Sequence, residues 1–291
     1  MKSGYVSIIG RPSCGKSTLL NYLCGHKISI VSPVPQTTRN RVRGILTEKR
    51  GQLVFMDTPG FHHSERKFNI YMKDLVQKAL NDTDIVLYVA DLSKRLGQEE
   101  KDLLKILSSY SKKTVIALNK ADIGGEQAEH HGIFFNDALP NVTRHTISAV
   151  TGQNIDNLLS SLFELSPEGE IMYPEDFYTD QPPEFRISEI IREKAFLTTK
   201  EEVPHSLYVD IADLEANDEN QTLWIRAFIY VERESQKGIL VGKGGSKIKE
   251  IRVSAQKEIG RLFPYRIHLD LRIKVQPKWR KKDPVLKKLI T

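Results

Sequence analysis

The stretch "YVSIIGRPSCGKSTLLNYL" (5–23) joins a short apolar run to a helical pattern through a glycine-rich loop. The run "YVSII" is rich in β-branched and aromatic residues and nearly continuous in hydrophobicity, which is typical of a strand covered on both faces. After the loop, Leu19, Leu20 and Leu23 fall on one helical face. A strand, a loop and a helix in this order predict the start of an α/β fold.

The loop itself, Gly10-x-x-x-x-Gly15-Lys16-Ser17, matches the phosphate-binding P-loop pattern without a mismatch and in the required strand–helix context. Its glycines let backbone N–H groups curl around phosphate oxygens, and the helix N-terminus adds a favourable dipole. We expect Lys16 to reach the β- and γ-phosphates and the Ser17 hydroxyl to ligate Mg²⁺. The predicted phosphate-loop residues are Gly10, Ser13, Cys14, Gly15, Lys16, Ser17 and Thr18.

Cys14 raises the alternative of a cysteine-dependent enzyme built around this loop. A thiol nucleophile needs an activating base, and no histidine lies near Cys14 in the sequence. We therefore interpret Cys14 as a small filler at a variable loop position, next to the Gly15-Lys16-Ser17 that carry the function.

The first 165 residues repeat this alternation of apolar runs and amphipathic stretches. Helical spacing recurs at 69–81 and 97–110, and 41–57 indicates a hairpin with its turn near 48–51. Further strands are predicted for "QLVFMD" (52–57), "DIVLYVAD" (84–91), "KTVIALN" (113–119) and "RHTIS" (144–148). This order predicts an α/β P-loop fold, a mostly parallel sheet with one antiparallel strand.

Two segments are expected to complete the phosphate end of the site. "DTPG" follows the strand "QLVFM", so we expect Asp57 to hold Mg²⁺ through water and the Gly60 N–H to sense the γ-phosphate. In "PQTTRNR" (35–41) we favour Thr38 over Thr37 to complete the magnesium shell, although both threonines also suit an extended edge. The predicted catalytic residues are Lys16, Thr38 and Gly60, and the predicted metal ligands are Ser17, Thr38 and Asp57.

The tetrapeptide "NKAD" (119–122) follows the strand "TVIAL" and indicates guanine recognition. Asp122 can accept two hydrogen bonds from guanine N1–H and the exocyclic amine, whereas adenine offers no such pair of donors. We expect Asn119 to contact the purine edge and brace the P-loop, and the Lys120 stem to cover the base. After the next strand, Ser148 and Ala149 would offer a backbone N–H to guanine O6. The sequence therefore predicts GTP rather than ATP.

A chain of 291 residues is long enough for two domains. The stretch 166–185 holds four prolines and several acidic residues without a helical or strand period, so we interpret it as an interdomain linker. We predict a GTP-binding domain at 1–168, a linker at 169–184, a second domain at 185–276 and a basic tail at 277–291.

Positive charge concentrates at the C-terminal end. Residues 233–291 hold 17 Lys and Arg against 5 Asp and Glu, a balance of +12, whereas 178–232 carry a balance of −7. Such a block indicates a polyanionic partner, although a solvated basic face has the same composition.

The motif Gly242-Lys243-Gly244-Gly245 lies between two helical stretches of the second domain. A Gly-x-x-Gly loop lets the protein backbone approach a nucleic-acid backbone closely, although a tight helix–helix turn has the same pattern. The order helix (185–197), two strands (205–214, 222–233), short helix, motif, helix (246–263) and strand (265–275) favours the RNA-binding interpretation. The predicted RNA-binding residues are Gly242, Lys243, Gly244, Gly245, Lys247, Lys249, Arg252 and Trp279.

Trp279 stands among lysines and arginines in the tail "QPKWRKKDPVLKKLI". A base could stack on its ring, or the indole could anchor the tail to the fold, and the sequence does not decide between the two.

Bulk composition excludes several classes of protein. No apolar run is long enough to span a bilayer, the N-terminus lacks signal-peptide features, and two cysteines do not make a disulfide framework. We therefore expect a cytoplasmic monomer in a reducing compartment.

In combination, "GRPSCGKST", "PQTTRNR", "DTPGF", "NKAD", "SA", "SEIIREK" and "VGKGGSKIKEI" resemble the Era family, bacterial GTPases with a C-terminal type II KH domain. The resemblance covers essentially the whole chain. It implies a Ras-like G domain followed by an α+β KH domain, with GTP or GDP and Mg²⁺ as ligands. It also implies that the KH domain binds the 3′ end of small-subunit ribosomal RNA, in assembly of the 30S-type subunit, and that GTP promotes this capture. Peripheral membrane association has been attached to the family as well.

Hydrolysis is expected to be slow. The residue after Gly60 is Phe61, whose side chain can neither orient water nor act as a base, and we interpret His62 and His63 as a solvated pair. The family resemblance places asparagine where this chain has Ser13, and in related potassium-activated GTPases that asparagine helps to hold K⁺. Serine leaves potassium activation an open question. The alternative is an RNA-binding module whose nucleotide site is structural.

Overall fold

A six-stranded sheet organises the first of two units into which the computed structural model divides, Met1–Asp180 and Gln181–Thr291. The structure describes residues 1–31, 42–57, 80–124, 127–199 and 203–279. The elements of the first unit are β1 (Lys2–Gly10), α1 (Lys16–Leu23), β2 (Val42–Glu48), β3 (Gly51–Asp57), β4 (Ile85–Asp91), α2 (Gln98–Leu107), β5 (Thr114–Asn119), α3 (Ala128–Ala138), β6 (Thr143–Thr146) and α4 (Ile155–Leu165).

The strand order is β2-β3-β1-β4-β5-β6, and β2 alone runs antiparallel to its neighbour. Every residue of β3, β4 and β5 is buried. This explains why their sequences are continuous rather than alternating in hydrophobicity, since helices cover both faces of such a sheet. The predicted mostly parallel sheet with one antiparallel strand is confirmed.

The hydrophobic core that contains Tyr88 is mostly aliphatic and includes one aromatic pair. Tyr88 of β4 packs edge to face against Phe135 of α3, with ring centroids 5.7 Å apart, and Leu103 and Leu107 of α2 close the cluster. Each fully buried side chain of this size stabilises the fold by about 1.5–3 kcal/mol. This packing supports the parallel strands, whose carboxyl ends lie at the same edge of the sheet.

Residues 167–180, which we call the strap, end the first unit and hydrogen-bond to its strands. The Ile45 N–H donates to the Tyr178 carbonyl at 2.9 Å, and the Thr179 hydroxyl donates to the Arg43 carbonyl at 2.8 Å. Arg43 also pairs with Asp180 at 2.6 Å. The boundary between the two units, after Asp180, falls inside the predicted linker 169–184, and residues 178–180 of that segment are bonded to β2.

The second unit contains a three-stranded sheet and flanking helices. Its elements are α5 (Pro183–Thr198), α6 (Val203–Ser206), β7 (Tyr208–Asn217), β8 (Thr222–Val231), α7 (Glu234–Val241), a 3₁₀ turn (Lys243–Gly245), α8 (Ser246–Leu262) and β9 (Arg266–Val275). The order is β7-β8-β9, with β7 antiparallel and β9 parallel to β8.

Buried and more exposed residues alternate along β8, which shows that one face of this sheet is covered. Leu223, Ile225, Ala227, Ile229 and Val231 are buried, while the intervening residues are half-buried or exposed. A period of two is expected where one face packs on helices and the other meets solvent.

Some elements differ from the sequence predictions. The strand predicted from 205 begins at Tyr208, because Val203–Ser206 form a helical turn. Helices α3 and α4 were not predicted, and the helix predicted at 69–81 lies almost wholly outside the described residues. Among the described residues, no helix combines the length and the apolar character needed to cross a membrane.

Candidate functional sites

The P-loop connects the end of β1 to the start of α1. Two of its positions require glycine because neighbouring atoms leave no room for a side chain. A Cβ on Gly10 would lie 2.3 Å from the Val89 carbonyl oxygen, and one on Gly15 would lie 2.3 Å from Asn119 Nδ2. Gly15 also has φ 98°, a region that favours glycine. The loop is therefore packed tightly against β4 and β5.

Lys16 points into the loop rather than into solvent. Its Nζ donates to the Gly10 carbonyl at 3.1 Å and to the Arg11 carbonyl at 2.9 Å, and the residue is 6% exposed. The positive charge is thus held at the centre of the cradle that the backbone forms.

Cys14 is buried, with 1% of its surface exposed. Burial raises the pKa of its thiol, so the thiolate that a nucleophile needs is disfavoured. This environment argues against the cysteine-dependent enzyme and fits the interpretation of Cys14 as a filler.

Ser13 adopts a left-handed backbone conformation with φ 63°. Asparagine tolerates this region better than serine does, because its amide can bond locally. The Ser13 carbonyl accepts a hydrogen bond from Lys120 Nζ at 2.9 Å, which holds the strained residue in place.

At the end of β3, two serine hydroxyls converge on one carboxylate. Ser17 Oγ donates to Asp57 Oδ2 at 2.7 Å, and Ser29 Oγ donates to the same oxygen at 2.9 Å. Asp57 is fully buried and Ser29 is 3% exposed. Hydroxyl and carboxylate oxygens are the ligands that Mg²⁺ prefers, so Ser17 and Asp57 fit a magnesium ion.

Ser29 was not predicted from the sequence. The Asn21 side chain fixes it, because Oδ1 accepts the Ile28 and Ser29 N–H groups and Nδ2 donates to the Ser29 carbonyl. A serine in a loop carries no motif that would have singled it out.

Asn119 joins the P-loop to the loop after β6. Its Nδ2 donates to the Cys14 carbonyl at 2.9 Å, and its Oδ1 accepts the Ala149 N–H at 2.9 Å. Lys120 Nζ additionally contacts Asp91 Oδ2 at 2.7 Å. Burial alone would raise the pKa of Asp91, but hydrogen bonds from Lys120 and Ser93 lower it below its ordinary value.

Asp122 and Ser148 lie together at the same edge. Ser148 Oγ donates to Asp122 Oδ1 at 2.6 Å, and the Asp122 side chain is exposed. A carboxylate that is oriented by a serine yet open to solvent is suited to accept hydrogen bonds from a ligand.

Ion pairs that no sequence motif indicates join the P-loop to α2. Arg11 pairs with Glu99 at 2.5 Å and with Glu100 at 2.7 Å, and Glu100 also accepts the Gly97 N–H. These carboxylates lie 88 and 89 positions from Arg11, so no local spacing could have indicated the pair.

Six residues named in the sequence predictions lie outside the described residues: Thr37, Thr38, Gly60, Phe61, His62 and His63.

In the second unit, the loop between α7 and α8 turns through three glycines of positive φ, Gly242, Gly244 and Gly245. A Cβ added at Gly244 would meet nothing within 4 Å, so this face of the loop is open. Lys243, Lys249 and Arg252 are exposed and Lys247 is half-buried. The predicted RNA-binding residues of 242–252 therefore lie in this loop and in the first two turns of α8.

Trp279 lies away from such a surface. It is 4% exposed, its Nε1 donates to the Ser206 carbonyl at 2.8 Å, and its ring packs against Tyr208. The prediction of Trp279 as an RNA-stacking residue is therefore wrong, because the indole anchors the chain after β9 to the fold.

Comparisons with known proteins identify a family for each unit. Residues 5–120 match the family model of the 50S ribosome-binding GTPases, and residues 202–280 match the KH domain. The chain is 49% identical to GTPase Era of Treponema denticola, over 99% of each chain, and 46% identical to GTPase Era of Borreliella afzelii over the full length of both.

Two solved structures superpose on the chain with a TM-score of 0.93 at 34% identity, covering 99% of this chain and 98% of each. One is a variant of Aquifex aeolicus Era bound to GDP·AlF₄⁻, and the other is Era with MgGDPNP and nucleotides 1506–1542 of 16S ribosomal RNA. With these matches along its whole length, the chain belongs to the Era family of GTPases.

Proposed function

We propose that this chain binds GTP and Mg²⁺, hydrolyses the nucleotide slowly, and binds small-subunit ribosomal RNA through its KH domain during assembly of the subunit. The observation that carries the proposal is the Asn119 bridge, because one side chain joins the phosphate loop to the segment predicted to read guanine.

The phosphate end is supported by charge and preorganisation. Lys16 is held inside a ring of backbone groups, where phosphate oxygens would replace the carbonyls of Gly10 and Arg11 as its partners. Ser17 could coordinate Mg²⁺ through an oxygen lone pair while its hydroxyl still donates a hydrogen bond to Asp57. A bound magnesium ion would neutralise negative charge on the transferred phosphoryl group and on the GDP leaving group.

Guanine selection is assigned to Asp122, Ser148 and Ala149, with Asn119 and Lys120 as their support. Asp122 is exposed and oriented by Ser148, so its carboxylate can accept hydrogen bonds from guanine N1–H and the exocyclic amine. Adenine offers no such pair of donors and would leave the covered carboxylate unpaired. The relatives that bind GDP·AlF₄⁻ and MgGDPNP support this assignment.

The KH domain is assigned to RNA by its open glycine loop and its exposed cations. The solved relative in complex with 16S ribosomal RNA supports the small subunit as the source of that RNA. We further propose that the chain acts in the cytoplasm, as expected from its composition, and that it is a monomer.

Two measurements test the proposal. RNA affinity is compared for the GDP complex and the complex with a non-hydrolysable GTP analogue, and tighter binding with the analogue is expected. Single-turnover GTP hydrolysis is then followed with and without K⁺ and RNA. A rate equal to that of free GTP under every condition would leave only the alternative of a structural nucleotide site.

A further inference from the structure

The second tryptophan of the chain, Trp224, lies on the solvent-facing side of the KH sheet. It is 41% exposed, although its neighbours in β8, Leu223 and Ile225, are buried against the helices. The chain holds two tryptophans, and Trp279 is buried. An exposed ring of this size on a folded surface is a candidate contact for a ligand.

Trp224 borders an open groove of about 430 Å³ that runs around the edge strand β9 to α8. Arg226 and Arg272 line it from the sheet, and Arg252 and Gln256 line it from the helix. Gln256 Nε2 donates to the Ile267 carbonyl at 3.2 Å, which fixes the helix against the strand edge. A cavity of this volume accommodates a small organic group such as one nucleotide.

The charge of the groove favours an anion. Three arginines line it together with one carboxylate, Asp270, which Arg226 and Arg272 share at 3.2 and 3.0 Å. Arg226 also pairs with Asp213 outside the groove at 3.1 Å, so the cations still exceed these two carboxylates by one. Within the part of the chain that the structure describes, Arg252 forms no ion pair and is exposed. Guanidinium groups bind phosphate through paired hydrogen bonds, and an aromatic ring stacks on any base.

The groove also continues the proposed RNA-binding surface. Arg252 follows Lys249 by three positions on α8, so the two side chains share one face of the helix with the open glycine loop at its start. A strand of RNA that leaves this loop along α8 would pass Lys249 and Arg252, both exposed, on its way to the groove.

We propose that Trp224, Arg252 and Arg272 bind one further nucleotide of single-stranded RNA, its base stacked on the indole and its phosphate held by the two guanidinium groups. The inference rests on the proposed function, because it extends the RNA path of the KH domain.

Tryptophan fluorescence and filter binding test the proposal on the full chain. The probes are nucleotides 1506–1542 of 16S ribosomal RNA and a series shortened one nucleotide at a time from either end. Quenching of Trp224 should vanish at one truncation, and affinity should fall about tenfold at the same step. Trp224→Ala should bind the full probe about tenfold more weakly and show no such step, whereas Trp224→Phe should retain most of the affinity. Val253→Ala, at an exposed position of the same helix outside the groove, serves as the control.

Three results would overturn the proposal in distinguishable ways. If Trp224→Ala binds every probe as the unmodified chain does, while Gly244→Asp weakens binding, the groove fails and the KH assignment stands. If the unmodified chain binds none of the probes, the proposed function fails and takes the groove with it. If Trp224 emission depends on protein concentration without RNA, and sedimentation shows a dimer, a second copy occupies the groove.

Discussion

The loops 10–17 and 242–245 both turn the chain through positive-φ glycines just before a helix begins, yet their surroundings differ. In the first loop, side chains from distant segments, Asn119 and Lys120, hold the backbone, and no space remains for a Cβ at Gly15. In the second loop, Gly244 has open space around it. A closed cradle suits a compact phosphate group, whereas an open turn suits a polymer that runs past.

The largest effect is expected for Gly15→Ala, which tests whether the first loop is closed around its glycine. The new Cβ would displace Asn119 Nδ2, and the positive φ adds strain, so nucleotide affinity should fall by at least about 100-fold. Fluorescent GDP binding measures the loss. The control is Gly244→Ala, where the Cβ meets nothing and only strain of about 1 kcal/mol is added. Equal GDP affinity for both variants would show that the P-loop is not closed as described.

The reverse test is Gly244→Asp, which places a carboxylate where the RNA backbone is expected. Like-charge repulsion and the lost close approach should weaken RNA binding by about tenfold or more, while GTP hydrolysis without RNA stays unchanged. Filter binding measures the first quantity and phosphate release the second. Unchanged RNA affinity would count against the open loop as the contact.

The first loop was easier to predict than its support. Its motif is local, and the strand and helix beside it follow from the hydrophobic pattern of residues 5–23. The braces come from side chains such as Glu100 and Ser29, which tertiary packing alone brings to the site. The stripe of leucines in α4 was readable from the sequence, whereas α3 has Gly132 in its interior and only His131 and Phe135 buried.

Trp279 is a residue whose role could not be predicted from its sequence neighbours. The basic residues around it suggested RNA binding, but local composition does not show whether a side chain is buried. In the structure the indole contacts the Ser206 carbonyl and Tyr208.

Ser29→Ala tests whether Ser29 supports the proposed magnesium site through Asp57. Removal of the Ser29 hydrogen bond should loosen the orientation of the buried Asp57 carboxylate, so about tenfold more Mg²⁺ should be needed to retain bound GDP. The rate of fluorescent GDP release across a magnesium titration measures this. Ser3→Ala, at a buried serine in β1, provides the comparison. Identical magnesium titrations would assign Ser29 a purely structural role.

The smallest expected effect concerns the pair of Asp91 and Lys120. Because the folded-state pKa of Asp91 is lowered, its ionised form adds stability above the ordinary aspartate value of 3.8, and this stability is lost as the pH falls through the folded-state pKa. Asp91→Asn should therefore lower the free energy of unfolding by about 1 kcal/mol at neutral pH, with a smaller difference in acid. Urea unfolding followed by circular dichroism at several pH values checks it. A difference that does not change with pH would exclude ionisation of Asp91 as the cause.

The strap has a mechanical consequence for the chain. Since Asp180 is fastened to Arg43 and α5 begins at Pro183, only Gln181 and Pro182 separate two anchored points. Each residue spans at most about 3.6 Å, and the prolines restrict rotation, so the chain between these two points has few accessible backbone conformations. Arg43 stands near the start of the strand that follows "PQTTRNR", so Asp180 is anchored to the strand that comes directly after the segment expected to respond to GTP.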